Sequence, residues 1–258
     1  MTNNEVIDSR DAASEIHLHV VADYAQVSRL AADIVTRIVR ETPDAAITLP
    51  TGETPRGMYA ELVRRIQAGE LDFSAVQLFC LDEYFGKGIE DAASLTAWLD
   101  DVFLAPAGLD RGNVHLMPSQ ATDPASAASA YEQEIERFGG LKLAVVGLGL
   151  NGHVGFNEPG SPRDSRTRVI DLTDESRDQN AGYYDGDQAI PDKAMTMGIG
   201  TILDADLVVL IVSGSGKADI LKATLEGPLT PDVPGSFLRT VGERLIAIVD
   251  QDAAALLS

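Results

Sequence analysis

Residues 143–146, Leu-Ala-Val-Val, are wholly apolar and run straight into a loop, Gly147-Leu-Gly-Leu-Asn-Gly-His-Val-Gly-Phe-Asn-Glu158. A short run with no polar residue on either face is buried on both sides, as a strand is inside a parallel sheet covered by helices. Glycines at 147, 149, 152 and 155 turn the chain tightly and let backbone approach a ligand closely. In open parallel sheets, ligands bind just beyond the carboxyl ends of the strands. His153 and Glu158, five residues apart in this loop, are therefore candidates for moving protons. The competing reading is an ordinary connection with a surface histidine. It gives no reason for a His, an Asn and a Glu among such closely spaced glycines.

The same pattern recurs along the chain. Short strands are predicted at 16–21, 45–49, 76–81, 167–172, 206–212 and 245–249, with a shorter one at 114–117. Between them the apolar spacing is helical: from Asp23 to about Arg40, from Pro55 to about Gln67, from a Ser94 cap through Phe103, and from Asp123-Pro124 to about Phe138. Thr54 reads as the cap of the second helix, with Pro55 in its first turn. Residues 194–203 are mixed. Residues 174–193 are polar and irregular, a candidate mobile cover over the site. Strands alternating with helices predict one α/β domain over 16–258: a doubly wound, mostly parallel, Rossmann-like sheet with helices on both faces. A polar tail, 1–15, precedes it.

The 40 acidic and 20 basic residues give a formal charge of −20, which argues against nucleic acid and anionic membranes as partners. An anionic substrate would need a local positive cluster, feasible because charges are screened over roughly 8 Å. Cys80 is the single cysteine, so no intrachain disulfide forms, and a reducing compartment is expected. The polar N-terminus is no signal peptide, and no apolar run reaches the about 18 residues of a membrane span. A cytoplasmic location follows as the expectation.

Three further strand ends carry chemistry. Thr51-Gly52-Glu53-Thr54-Pro55 follows the 45–49 run. Helix N-terminal amides, threonine hydroxyls and a tight glycine make an anion cradle, but a plain capped loop fits the same residues equally well. Asp82-Glu83 stand at the mouth of 76–81. A partly desolvated carboxylate there serves as a base near neutral pH; capping and surface charge are the simpler use of the pair taken alone. Ser213-Gly-Ser-Gly-Lys217 opens a helix with amides, hydroxyls and a point charge that suit a phosphate, against a flexible turn with a solvated lysine. His17, His19 and His115 sit in strand-like contexts. No HExxH or CxxC spacing is present, so no catalytic metal is expected. The absence of GxSxG speaks against a serine nucleophile, and the missing Walker spacing against ATP.

Taken in register, six stretches resemble the glucosamine-6-phosphate deaminase (isomerase) family, which shares a superfamily with 6-phosphogluconolactonases. They are LPTGETPRGMYAEL (49–62), FCLDEYFG (79–86), GLGLNGHVGFNEPGSP (147–162), SRTRVIDL (165–172), MTMGIGTILDA (195–205) and GSGKADILKATLEGP (214–228). The resemblance implies conversion of glucosamine 6-phosphate to fructose 6-phosphate and ammonia, without a cofactor. It makes Asp82 the base that moves a proton between C2 and C1, His153 the ring-opening group, and Glu158 its partner. Asn151 stands where members carry aspartate or asparagine. Thr51, Gly52, Glu53, Thr54, Gly149 and Lys217 would hold the substrate and its phosphate. The partner is then a small amino sugar phosphate, and the chain a monomer or small homo-oligomer. Three departures stand out. Glu53 replaces the usual Gly or Ser. Gly182 falls where a phosphate-clamping arginine is expected, Arg177 being the nearest. Arg168 matches a position tied to allosteric activation, while the residues after it do not. The alternatives are a paralogue acting on another amino sugar, perhaps unphosphorylated, a lactonase, or a sugar-phosphate-binding regulator.

Overall fold

The computed structural model describes residues 15–174, 176–177 and 191–258. The predicted N-terminal tail (save Glu15), Gly182 and most of 174–193 lie outside them.

Seven parallel strands form the main sheet: β1 (His17–Val21), β2 (Ala46–Leu49), β3 (Gln77–Cys80), β5 (Val114–His115), β6 (Leu143–Val146), β9 (Val208–Val212) and β10 (Leu245–Asp250), in the order β1-β10-β9-β6-β2-β3-β5. Strands β2, β6 and β9 are buried at every residue, which requires a covering layer on both faces. The edge strand β1 is largely exposed. The sheet order reverses direction between β2 and β6, so a crevice opens there at the carboxyl ends of both strands.

Helix α1 (Tyr24–Glu41) starts at Asp23, whose side chain accepts from Gln26 N, and buries Val27, Ala31, Ile34 and Val35. It packs on α2 (Arg56–Gln67) so closely that a Cβ on Gly57 would stand 2.2 Å from Ser28 Oγ. Helix α3 (Leu95–Leu99) is capped by Ser94 as predicted and continues through a π-helical stretch, Asp100–Leu104, into α4 (Ala105–Ala107). Helices α5 (Pro124–Arg137), α6 (Ile199–Leu203) and α7 (Ala218–Glu226) complete the principal elements used below.

Two expectations are corrected. The 167–172 strand is not in the parallel sheet. As β7 (Arg168–Asp171) it joins β4 (Asp82–Tyr84) and β8 (Lys193–Thr196) in a separate antiparallel sheet, order β4-β8-β7. β8 holds β7 on one edge and β4 on the other, and just beyond β8 Met197 N donates to Leu81 O at 2.8 Å, where the chain leaves β3. Thr54 does not cap α2. The helix starts at Arg56 with no side-chain cap from its boundary residue; Arg56 N donates to Glu53 O, and Gly57 N to the Tyr24 hydroxyl of α1. A first-turn amide is thus satisfied from a neighbouring helix.

Candidate active site

At the β2/β6 crevice lies a cavity of about 290 Å³. Thr51, Gly52, Glu53 and Thr54 from the loop after β2 line it, with Asp82 from β4, Gly149 and His153 from the loop after β6, and Lys217 from the loop after β9. Residues distant in sequence and singled out at strand ends therefore share one space. Asn151 and Glu158 stand behind His153 instead of on the wall. Ser94, Leu95 and Trp98 of the α3 region and Phe156 complete much of the lining. The helical pattern from Ser94 through Phe103 gives no sign that Leu95 and Trp98 line a cavity.

Asp82 and Glu83 are adjacent and face opposite ways, as alternation along a strand demands. Glu83 accepts from Tyr84 N, Leu95 N, Thr96 N and Thr96 Oγ1 at 2.7–3.0 Å and so ties β4 to the start of α3. Asp82 is buried, and its Oδ1 finds no hydrogen-bond partner among the described residues. Burial, and then the neighbouring Glu83 carboxylate, push its carboxyl up to about 8. A carboxyl that gives up its proton near neutrality is suited to act as a base and then as an acid. Gly155, with φ +58°, brings backbone against it: a Cβ there would lie 3.4 Å from Asp82 Oδ2 and 2.9 Å from Thr196 Oγ1.

The imidazole of His153 lies over Gly149. A Cβ at 149 would come within 2.3 Å of Cε1 and Nε2, and Gly149 N donates to His153 O at 2.9 Å. On the other side of the ring, Nδ1 is 3.2 Å from Ser176 Oγ and 3.7 Å from Glu158 Oε2. Glu158 also accepts from Asn151 Nδ2 at 2.8 Å, and Asn151 Oδ1 accepts from His153 N at 3.1 Å. Burial opposes ionisation of Glu158, but the neighbouring His153 and Ser176 and the hydrogen bond from Asn151 outweigh it and hold its carboxyl down at about 2. Asn151 is thus a brace between loop backbone and carboxylate. Sequence reasoning missed Ser176, which carries no motif, and Asn157, whose Nδ2 donates to Val154 O and Met197 O and whose Oδ1 accepts from Arg168. The second of these sits inside the quoted GFNEP stretch and was there to be found.

The loop after β2 is held from outside the cavity. Tyr59 donates to Pro50 O at 2.7 Å and Tyr24 to Glu53 O at 3.2 Å. The amides of Gly52, Glu53 and Thr54 donate to none of the described residues. Lys217 Nζ donates to Leu148 O at 2.7 Å, and burial pulls its amine down to about 8. Among the described residues it is the one lysine or arginine on the cavity wall. The Glu53 carboxylate pairs with Arg56 Nε at 2.7 Å. Loop amides without described partners, threonine hydroxyls and a lysine share the cavity with Asp82 and His153, a set suited to an anionic ligand that exchanges protons.

Residues 22–247 match the family model for glucosamine-6-phosphate isomerases/6-phosphogluconolactonase. The chain belongs to that family. It is 39% identical to a glucosamine-6-phosphate deaminase of Cellvibrio japonicus (strain Ueda107) over 93% of this chain and 90% of the relative. It is 40% identical to another of Hahella chejuensis (strain KCTC 2396), over 92% and 91%. Among solved structures, a monomeric glucosamine-6-phosphate deaminase superposes with a TM-score of 0.88 at 34% identity, covering 94% of this chain and 99% of that one. A 6-phosphogluconolactonase from Trypanosoma cruzi superposes at 0.74 with 19% identity over 95% and 98%, which shows the shared fold alone.

Proposed function

We propose that this member of the family converts glucosamine 6-phosphate to fructose 6-phosphate and ammonia. The observation that carries the reading is the single cavity that holds Asp82, His153, Lys217 and the Thr51–Thr54 loop together. His153 exchanges the proton of the anomeric hydroxyl with the ring oxygen and opens the pyranose; Glu158 and Ser176 flank its ring, and Asn151 holds its backbone amide. Asp82 removes the C2 proton and returns it to C1, so the aldehyde becomes an alcohol and the C2 amine an imine. Water adds to that carbon and ammonia leaves. One carboxyl serves both carbons because its burial lets it hold the proton between the two steps. The free loop amides and Lys217 hold the phosphate. The substrate is a small molecule, and the assembly is a monomer or small homo-oligomer. Buried Cys80 as the single cysteine suits a reducing cytoplasm.

The test is ammonia release from glucosamine 6-phosphate, galactosamine 6-phosphate and unphosphorylated glucosamine, with 6-phosphogluconolactone hydrolysis alongside. Glucosamine 6-phosphate turns over fastest, and Asp82→Asn lowers kcat by at least about 10³-fold. Equal turnover with and without the phosphate, or an undiminished Asp82→Asn enzyme, overturns the assignment.

A further inference from the structure

We infer that Arg56 is a specificity-determining residue, which neutralises Glu53 at the cavity mouth and so lets a carboxylate-bearing loop accept a phosphorylated sugar. The inference rests on the sugar-phosphate reading of the cavity. Glu53 lies on the cavity wall, in the middle of a loop whose Gly52, Glu53 and Thr54 amides donate to none of the described residues. Left bare, its carboxylate opposes an anionic group there, and the chain's overall charge of −20 adds to the repulsion.

Arg56 occupies the position that removes this obstacle. Its Nε meets Glu53 Oε1 at 2.7 Å, and its guanidinium stacks 5.0 Å from the ring centroid of Trp98, itself a wall residue. The side chain therefore bridges the loop after β2 and the α3 side of the mouth. Fold stability gives little reason for the pair: the two side chains are 44% and 57% exposed, and such surface pairs contribute little. The charge balance of the cavity gives a better one, because Lys217 is the one lysine or arginine lining it among the described residues.

Trp98 is the single tryptophan in the chain, so its fluorescence reports ligand binding at the mouth without turnover. The experiment compares wild type, Arg56→Ala, Glu53→Gly and the double variant, titrated with glucose 6-phosphate and with glucose, and assayed for ammonia release. Arg56→Ala weakens glucose 6-phosphate about tenfold and raises KM for glucosamine 6-phosphate to match, with kcat within about twofold and glucose affinity unmoved. In the double variant, loss of the exposed carboxylate restores phosphate affinity to within about threefold of wild type. Equal weakening in the single and double variants overturns the inference, as does equal weakening toward glucose, no change in Arg56→Ala, or a wild type that does not bind glucose 6-phosphate. If the binding pattern is as described and no amino sugar releases ammonia, the deaminase reading fails and the charge-masking role stands.

Discussion

Gly149→Ala separates the position of the imidazole from everything else in the site. A Cβ on Gly149 would lie 2.3 Å from Cε1 and Nε2 of His153 and 2.4 Å from Cδ2, where ordinary contact begins at 3.4 Å. Relief requires a retreat of about 1 Å. The backbone does not readily supply it, because Gly149 N is bonded to His153 O and the loop is anchored through Asn151 and Asn157. The ring must therefore turn away, and it borders an open cavity with room to do so. Gly149 is not among the glycines of positive φ, so alanine itself is tolerated by the backbone. A displacement of about 1 Å in a reacting group costs about 10²-fold, or roughly 2.7 kcal/mol of barrier. The expected result is a kcat for ammonia release lowered about 100-fold, with KM within about threefold and a melting temperature lowered by less than about 3 °C. A kcat within about threefold of wild type would refute the reasoning, since His153 would then be working from a place the structure does not give it.

Two pH dependences follow from burial. The folded state binds the Asp82 proton more tightly than the unfolded state does, so stability falls as pH climbs from about 4 to about 8 and stays lost above. Asp82→Asn removes that loss, and thermal melts will show a larger gain at pH 9 than at pH 5; equal gains contradict the burial argument. Lys217 sheds its charge above about 8, so KM for the phosphorylated substrate rises between pH 8 and 9.5. In Lys217→Gln the KM is higher throughout and loses that rise; an unchanged KM rules the lysine out as a phosphate ligand.

Much of the scaffold could be read from residue order. The apolar runs at 45–49, 76–81, 143–146 and 206–212 became β2, β3, β6 and β9, and Thr51–Thr54, Asp82, Gly149, His153 and Lys217 beyond their ends line one cavity, with Asn151 and Glu158 behind it. The small antiparallel sheet was not legible. Asp82-Glu-Tyr84 is too short to show a period and too charged to read as a strand; its partners arise from 168–171 and 193–196, more than eighty residues on. Glu83 was weighed with Asp82 as a base, and only the pairing of β4 with β8 shows that it turns to the α3 amides instead. The departure at Glu53 has a partner the sequence did not flag: Arg56 lies three residues on, and the start of the helix brings the two into contact.

The three-residue strand β4 decides which of two neighbouring acids faces the cavity. Leu81 alone separates it from β3. Sliding this segment by a single place would exchange the two side chains: the clasp of α3 would swing into the cavity, and the cavity carboxyl would be sealed against a helix. In this part of the chain, then, spacing is as binding a specification as chemistry. Deleting Leu81 is expected to abolish ammonia release while leaving every candidate reactive side chain in the chain.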